Sequence, residues 1–350
     1  MTRAAAAFAG LGVDRVLEPP GVLPQAALRL DPGLPARPGE LVVDCERLQV
    51  DSVSFRQLRE EGGDDQAAIG RRIMAVVRER GKLENPSTGS GGVLIGRARR
   101  ASRARRIPRG TRIVSLVSLT LTPLHLERVL EVHLATHQVE VEGHAILCRA
   151  FPIAVAPHDL PLGVTLAALD VSSAPAQLAR LCRRGDRVVV LGGGGASGLL
   201  CLALARERAQ GGTLVAVDRD PAMLDDVRRA GLAHHCVQAD ATRPLDCARA
   251  VARATGIVEA DVVVNVVDVP GTEMASVLLC RPRGTVMLFS MATSFSDAAL
   301  SGDGLGRETR MMVGIGYVEG QAALAMRLLR RHAGLREVFI RRYGNDPPPP

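Results

Sequence analysis

The chain has 350 residues, of which 47% are hydrophobic and 23% are charged. These fractions are typical of a soluble globular protein and exclude a disordered chain, a collagen and a coiled coil. Aromatic residues make up only 2% of the chain, so a stacking surface for nucleic-acid bases is not expected. The length corresponds to about two domains of ordinary size.

Basic residues exceed acidic ones by 44 to 37, which gives a formal net charge of +7. Lys82 is the single lysine, and the other basic residues are all arginine. At the majority of exposed positions lysine and arginine can replace each other. When the side chain is buried, however, only a lysine can lose its proton. Lys82 is therefore a candidate reactive amine, and the alternative is a remnant on a solvated face. The arginines between Arg97 and Arg109 predict a solvated loop rather than a nucleic-acid surface.

The seven cysteines are scattered and no pair has CxxC spacing, so neither a disulfide framework nor a zinc knuckle is expected. The Ala-rich opening of the chain is weak as a signal peptide. No apolar run reaches the length of about 18 residues that a membrane span needs. We therefore expect a cytoplasmic homo-oligomer that contacts neither membrane nor nucleic acid.

Short β-segments separated by turns occupy the chain up to residue 158. They are predicted at Leu41–Val43, Leu48–Val53, Gly92–Ala98, Thr111–Leu119, Val129–Leu134, Gln138–Val141 and Ala145–Val155. One amphipathic helix is predicted at Asp65–Arg80. Strands at this spacing predict a small β-barrel-like domain over residues 1–158.

From residue 159 onward strands alternate with helices, which is the pattern of βαβ units on a parallel sheet. The predicted strands are Arg187–Leu191, Thr213–Val217, His235–Gln238, Asp261–Val267, Thr285–Phe289 and Met311–Ile315. The predicted helices are Thr165–Leu181, Ala196–Ala209, Pro221–Ala230 and Glu319–Arg331. We therefore predict an α/β protein with a doubly wound, parallel-sheet Rossmann domain over residues 159–318. Residues 319–350 are expected to form a C-terminal helix and a proline-rich tail.

A glycine-rich turn joins the strand Arg187–Leu191 to the next helix. It contains two overlapping spacings, G-x-G-x-x-G from Gly193 and G-x-x-G-x-x-G from Gly192. Glycine lets the backbone approach a pyrophosphate closely, and the helix N-terminus offers N–H groups to the anion. The turn therefore predicts dinucleotide binding, with a purely structural turn as the alternative. The cofactor-binding residues predicted here are Gly192, Gly193, Gly195, Ser197 and Gly198.

Two acidic residues follow the next strands. Asp218 lies 20 residues after Gly198, where a carboxylate can bind the adenosine ribose and repel a 2′-phosphate, which predicts NAD. The neighbouring Arg219 could pair with that phosphate and leaves NADP open. Asp240 is expected either to meet the adenine amino group or to cap a turn. S-Adenosylmethionine methyltransferases share this layout, but they usually carry an acid near the end of the first strand, which is absent here.

Several long strings in the chain resemble the L-erythro-3,5-diaminohexanoate dehydrogenase family of lysine fermentation. They are Arg15–Gln25, Asp51–Phe55, Glu79–Gly92, Ser115–Leu124, Ala168–Val171 and Phe289–Phe295. The likeness runs from about Gly12 to Tyr343. It implies a zinc-free medium-chain dehydrogenase architecture with a GroES-like N-terminal domain. It also implies NAD(P)-dependent oxidative deamination of 3,5-diaminohexanoate to 5-amino-3-oxohexanoate and ammonia.

This chemistry needs a base, because hydride leaves C3 only when the amine on C3 is neutral. Lys82 could supply that base if its pKa is lowered, or it could hold the substrate carboxylate as a fixed ammonium. The second ammonium of the substrate, on C5, needs a carboxylate partner. Asp51, which follows the apolar strand residues Leu48–Val50, is the first candidate for this role.

Further residues are expected around the substrate and the nicotinamide. Glu60 and Glu61, predicted in a loop, could add negative charge for the substrate or be ordinary exposed acids. Thr120 could bind the substrate carboxylate or a water, although a threonine in a strand is more often only packed. Ser290 and Thr293 follow a C-terminal strand and could contact the nicotinamide.

No catalytic metal is expected. Zinc-bearing relatives of this architecture have a cysteine and a G-H-E string where Asp51-Ser52 and Gly89-Ser90-Gly91 stand here. His133 and His137 have i, i+4 spacing, but their local pattern is strand-like. Two alternative functions stay open: a zinc-free quinone or enone reductase, and a non-catalytic NAD(H)-binding sensor.

Overall fold

The computed structural model describes residues 10–85 and 89–344. The chain divides into two compact units, and the division falls between Asp170 and Val171. The sequence-based boundary at residue 158 lies earlier, because the helix Leu162–Asp170 packs on strands of the first unit. The proline-rich tail and the central residues of the string Glu79–Gly92 lie outside the described residues.

The first unit contains an antiparallel sheet and three helices within the described residues. Its strands are β1 (Val16–Glu18), β2 (Arg29–Leu30), β3 (Leu41–Gln49), β4 (Val93–Ala98), β5 (Arg112–Ser115), β6 (Leu124–His133), β7 (Gln138–Leu147) and β8 (Ile153–Val155). Its helices are α1 (Ser52–Gly62), α2 (Gln66–Arg80) and α3 (Leu162–Asp170). Six strands pair in the order β6-β7-β3-β4-β5-β8, and β1 pairs with β2. Their inward-facing residues, Leu48, Leu94 and Val139 among them, form one apolar core.

Several strand predictions for the first unit were wrong. The segments Leu41–Val43 and Leu48–Val53 are not two strands, because β3 runs unbroken from Leu41 to Gln49 with a shift of register near Cys45. The chain then turns into α1, whereas the prediction extended the strand to Val53. A short 3-10 helix, Leu119–Leu121, follows β5 where a longer strand was predicted.

The second unit is the predicted parallel, doubly wound sheet. Its strands are β9 (Val188–Leu191), β10 (Leu214–Asp218), β11 (His235–Gln238), β12 (Ala260–Asn265), β13 (Cys280–Leu288) and β14 (Arg310–Val313). Its helices are α4 (Ser173–Leu181), α5 (Ala196–Arg208), α6 (Pro221–Arg229), α7 (Pro244–Thr255), α8 (Glu273–Leu279), α9 (Phe295–Gly304), α10 (Gln321–Arg331) and α11 (Ala333–Tyr343). The strand order is β11-β10-β9-β12-β13-β14, and all neighbours are parallel.

The strand order reverses between β9 and β12, which makes the carboxyl end of β9 the point where ligands bind in such sheets. All four residues of β9 are fully buried, as its run of valines predicts. The predicted helix Thr165–Leu181 is two helices, α3 and α4. Pro175 explains the break, because a proline has no N–H to donate and is tolerated only in the first turn of a helix.

Within residues 10–85 and 89–344, no helix is long and apolar enough to cross a membrane. The cytoplasmic location and the homo-oligomeric state stay predictions.

Candidate active and cofactor sites

Asp51 is the N-cap of α1 in the first unit. Its Oδ1 accepts a hydrogen bond from the backbone N–H of Ser54 at 3.0 Å, and its Oδ2 accepts one from the Ser54 hydroxyl at 2.6 Å. An aspartate in this position satisfies an N–H group that has no partner inside the helix. The side chain is only partly buried, so the carboxylate keeps an accessible face.

Ser90 extends this contact to a glycine-rich segment. The hydroxyls of Ser54 and Ser90 lie 3.0 Å apart, and both residues are buried. Thr120, in the 3-10 helix rather than a strand, donates its hydroxyl proton to the carbonyl oxygen of Gly89 at 3.0 Å. We call Asp51, Ser54, Ser90 and Thr120 the Ser90 cluster. Two of the predicted substrate residues therefore connect to residues 89–90 of the first unit. Thr120 bonds to Gly89 directly, and Asp51 is linked to Ser90 through Ser54.

Lys82 follows α2 and is wholly buried, with 0% of its surface exposed. Its Nζ lies 2.8 Å from Oε2 of Glu84 and 3.5 Å from the carbonyl oxygen of Pro24. Burial lowers the pKa of this amine, and the bond to Glu84 opposes that effect. Glu84 also pairs with Arg80 at 3.1 Å. The lysine is therefore not a remnant on a solvated face but the buried partner of a carboxylate.

Glu60 and Glu61 lie in the last turn of α1, not in a loop as predicted. The helix begins at the Asp51 cap and ends at Gly63, which has a positive φ of 67°. Glu60 is exposed and lies 3.8 Å from Arg56, one turn earlier. Glu61 pairs with Arg72 of α2 at 3.2 Å.

A cavity of about 30 Å³ connects several of these residues, with room for about one water molecule. Its lining includes Ser54 and Ser90 of the Ser90 cluster, Glu61, and Glu84, the partner of Lys82. The cavity thus borders both the Ser54 hydroxyl that bonds to Asp51 and the carboxylate that pairs with Lys82.

Asp170, the last residue of α3, is a candidate that the sequence analysis missed. Burial raises the pKa of its carboxyl group to about 8, and the nearby charge of Asp51 adds to the rise. A carboxyl group with a pKa near neutrality can both accept and release a proton at physiological pH, as a general acid–base must. The residue lies in the string Ala168–Val171, but nothing in that string distinguishes its acid from an ordinary surface carboxylate.

Three glycines in the turn of the second unit have different structural roles. Gly192 has a positive φ of 79°, which opens the tight turn after β9. A Cβ on Gly198 would lie 2.3 Å from the carbonyl oxygen of Gly192, so the helix packs there without a side chain. A Cβ on Gly195 would meet no atom closer than 3.5 Å, which leaves open space beside the N-terminus of α5.

This N-terminus fits the pyrophosphate of a dinucleotide. Gly195 is the N-cap of α5 and offers no side-chain cap, so the first N–H groups of the helix keep their capacity to bind an anion. Ser197 lies in the first turn and is partly exposed. Gly193 and Gly194, by contrast, pack closely against Ala216 and Met223.

Asp218, the last residue of β10, already supports the turn. Its Oδ2 accepts the N–H of Gly194 at 3.1 Å and its Oδ1 accepts the N–H of Asp220 at 3.1 Å. Arg219 beside it is exposed. Asp240 accepts hydrogen bonds from the N–H and the hydroxyl of Thr242, at 2.9 and 2.7 Å, and therefore caps a turn. Its contact with an adenine stays a prediction.

Ser290 and Thr293 lie in the segment that follows β13, at the carboxyl edge of the parallel sheet, and both are partly buried. The Ser290 hydroxyl accepts the N–H of Ala292 at 3.1 Å. The segment is anchored by Glu273, a fully buried residue of α8 whose Oε1 accepts the N–H of Ser294 at 2.7 Å. Glu273 is a second residue that the sequence analysis missed.

A group of potential metal ligands lies on β6 and β7. It consists of Glu131, His133 and Glu140, whose ligand atoms lie within 4.8 Å of one another. Glu140 already pairs with Arg47 at 2.6 Å. His137 does not join them, because its ring stacks on Phe55 with the ring centres 4.6 Å apart. The expected lack of a catalytic metal stays a prediction.

Both units of the chain match models of known protein families. Residues 14–157 match the family model of the L-erythro-3,5-diaminohexanoate dehydrogenase N-terminal domain, and residues 188–294 match the TrkA-N domain. The alcohol dehydrogenase TADH from Thermus sp. ATN1 shares the fold, with a TM-score of 0.52 at 17% identity. That match covers 89% of this chain and 86% of the other. The fold predicted from the sequence is thereby confirmed, and the glycine turn fits a nicotinamide cofactor.

Two relatives match almost the whole chain. The L-erythro-3,5-diaminohexanoate dehydrogenase of Fusobacterium nucleatum subsp. nucleatum is 40% identical over 94% of this chain and 96% of its own length. The enzyme of the same name from Acetoanaerobium sticklandii is 38% identical over 95% of this chain and 98% of its own. The chain therefore belongs to the L-erythro-3,5-diaminohexanoate dehydrogenase family and is an oxidoreductase.

Proposed function

We propose that the protein deaminates L-erythro-3,5-diaminohexanoate oxidatively at C3. The substrate, water and oxidised nicotinamide cofactor give 5-amino-3-oxohexanoate, ammonium, reduced cofactor and one proton. The nicotinamide ring supplies an acceptor for the C3 hydride. The observation that carries this proposal is the 40% identity, across nearly the whole of both chains, to a dehydrogenase of that name.

The proposed order of events follows from the electron flow at C3. A base takes a proton from the C3 ammonium, and the freed lone pair forms the C=N bond as hydride leaves C3. Water adds to the resulting iminium, and ammonia departs as the ketone forms. One group that changes protonation near neutral pH can serve both the first proton transfer and the activation of water.

Asp170 is our candidate for this base. Burial and the charge of Asp51 raise the pKa of its carboxyl group to about 8. A carboxylate with a raised pKa is a stronger base than an ordinary one, and it is still ionised in a useful fraction of molecules near pH 8.

Asp51 is our candidate for the partner of the C5 ammonium. Its carboxylate is fixed by the two bonds from Ser54, and this leaves it oriented before a substrate arrives. Thr120 and Ser90 would hold the neighbouring backbone, and Glu61 and Glu60 would add negative charge near a doubly cationic substrate. Lys82 remains a proposed contributor through Glu84, since the lowered pKa of its buried amine suits proton exchange with that carboxylate.

For the cofactor we propose NAD rather than NADP. Asp218 would accept hydrogen bonds from the ribose hydroxyls with lone pairs that its two backbone bonds leave free, and it would repel a 2′-phosphate. Ser290 and Thr293 would contact the nicotinamide.

The test is an absorbance assay of reduced coenzyme with 3,5-diaminohexanoate and each oxidised coenzyme. The comparison substrate is 3-aminohexanoate, which lacks the C5 amine. We expect turnover of the diamine with NAD and, because of Asp51, a much higher KM for the mono-amine. Lys82→Gln is assayed beside the wild type, and unchanged turnover would remove Lys82 from the mechanism. Absence of turnover of the diamine with either coenzyme would overturn the proposed function.

A further inference from the structure

Arg342, near the end of α11, reaches the glycine turn. Its Nη1 donates to the carbonyl oxygen of Gly194 at 2.7 Å, across 148 residues of sequence. The rest of the guanidinium binds Oδ2 of Asp226, through Nη2 at 2.6 Å and Nε at 2.9 Å. Only 15% of the side chain is exposed, so the group is held in one orientation.

The peptide groups of Gly194 are thereby held from two directions. The N–H of Gly194 donates to Asp218 at the end of β10, and its carbonyl oxygen accepts from Arg342. Gly194 also packs closely against α6, where an added Cβ would lie 2.4 Å from Cβ of Met223. The carbonyl carbon of Gly194 is bonded directly to the nitrogen of Gly195, the N-cap of α5. The tether therefore fixes the peptide that leads into the first turn of that helix.

The buried carboxylate of Asp226 anchors the guanidinium of Arg342. Asp226 is 4% exposed and pairs with three arginines, Arg229, Arg341 and Arg342. Burial pushes the pKa of Asp226 upward, but the arginines, Arg342 first among them, hold it below its ordinary value.

We infer that Arg342 is a positioning residue for the cofactor, which holds the glycine turn in the shape that receives the pyrophosphate. This inference rests on the proposed use of a nicotinamide dinucleotide and goes beyond it by assigning a residue outside the glycine motif. The side chain acts through the backbone of Gly194 and need not touch the cofactor. Its loss should therefore weaken cofactor binding and leave the chemistry of the bound complex intact.

The test compares Arg342→Gln with Arg341→Gln, which also removes a partner of Asp226 but makes no bond to Gly194. Calorimetry measures the Kd of oxidised NAD, and of ADP-ribose, which carries the pyrophosphate without the nicotinamide. For Arg342→Gln we expect both Kd values to rise at least about tenfold, since a charge-assisted hydrogen bond is lost. For Arg341→Gln we expect a change of less than about twofold. Arg342→Lys, which keeps the charge and one donor, should fall between them.

Activity assays and thermal unfolding complete the design. Arg342→Gln should raise the KM for the coenzyme while kcat at saturation stays close to that of the wild type. A purely structural role would instead lower the melting temperature and leave Kd unchanged in the folded protein, which would overturn the inference. An equal rise of Kd in both glutamine variants would overturn it as well, because the bond to Gly194 would then be irrelevant. If the wild type binds neither coenzyme nor ADP-ribose, the proposed function fails first.

Discussion

Oδ2 of Asp218 lies 3.1 Å from the backbone nitrogen of Gly194, so the carboxylate expected to meet the ribose also supports the glycine turn. This one side chain therefore supports the turn and also provides the charge at the ribose position. The second oxygen is bound to the N–H of Asp220 at 3.1 Å, which fixes the plane of the carboxylate.

Asp218→Asn removes the charge of this side chain and, because an amide has a single oxygen, one of its two hydrogen bonds from the backbone. We expect the preference for NAD over NADP, measured as the ratio of kcat/KM values, to fall by about tenfold because the repulsion of the 2′-phosphate is lost. Asp220→Asn is the matched control, since it removes a charge two residues away while an asparagine can still cap α6. An unchanged ratio in Asp218→Asn would show that Asp218 does not select the coenzyme.

Asp51 has a structural role as the N-cap of α1 and a proposed role as the partner of the C5 ammonium, and two substitutions separate these roles. Asp51→Ala should lower the free energy of unfolding by about 1 kcal/mol through loss of the helix cap, whereas Asp51→Asn should cost little because asparagine also caps helices. Asp51→Asn should nevertheless reduce kcat/KM for the diamine at least about tenfold, since the C5 ammonium loses its counter-charge. Asp65→Asn is the control, because Asp65 is the N-cap of α2 and accepts the N–H of Ala67. Equal activity of the two asparagine variants would remove Asp51 from the substrate site.

Asp170 should make stability depend on pH. Its pKa is about 8 in the folded protein, against about 3.9 in an unfolded chain. Between these values the folded state holds a proton that the unfolded state has released, so the free energy of unfolding falls as the pH rises from about 4 to about 8. Asp170→Asn removes this dependence, and its stability relative to the wild type should grow over that range. Urea unfolding at several pH values measures the difference; parallel pH profiles of the two proteins would contradict the raised pKa.

The same substitution tests the proposed base. The wild-type rate at saturating substrate should rise with pH through an apparent pKa near 8, as Asp170 becomes ionised. Asp170→Asn should lose both this inflection and most of kcat. Retention of the inflection in the variant would assign it to another group.

Two alanine substitutions separate the tasks of the glycines. Gly195 has a φ of −70° and open space beside it, so Gly195→Ala should fold normally but raise the Kd of the coenzyme about tenfold or more, because the methyl group enters that space. Gly198→Ala should lower the free energy of unfolding by about 2 kcal/mol, since its Cβ would lie 2.3 Å from a carbonyl oxygen. Thermal unfolding and calorimetry distinguish the two effects. Undiminished coenzyme binding by Gly195→Ala would place the pyrophosphate elsewhere.

The parallel sheet could be predicted because its signals are local. The valine run of β9 is buried on both faces, and the strand His235–Gln238 has the bounds that the sequence predicts. Helix α1 was missed because apolar residues at Val53 and Phe55 alternate like a strand. Its cap signal, Asp51 followed by Ser54, lacks the Glu or Gln of the usual capping box.

Some residues of the candidate sites could likewise be predicted from local sequence, and others could not. The glycine turn and Asp218 follow from a compact motif, whose backbone requirements the sequence alone displays. The raised pKa of Asp170 depends on burial and on Asp51, which is distant in the sequence. The contact of Arg342 with Gly194 depends on where α11 packs. Neither the burial of one side chain nor the packing of a distant helix has a local sequence signature, so these residues required the structure.

The stoichiometry of the reaction tests the proposed deamination most directly. Purified protein is supplied with L-erythro-3,5-diaminohexanoate and oxidised NAD, and reduced coenzyme and ammonia are quantified over one progress curve. Oxidative deamination at C3 predicts that the two products appear in equal amounts. Reduced coenzyme without ammonia, or no reduction of the coenzyme at all, would contradict it.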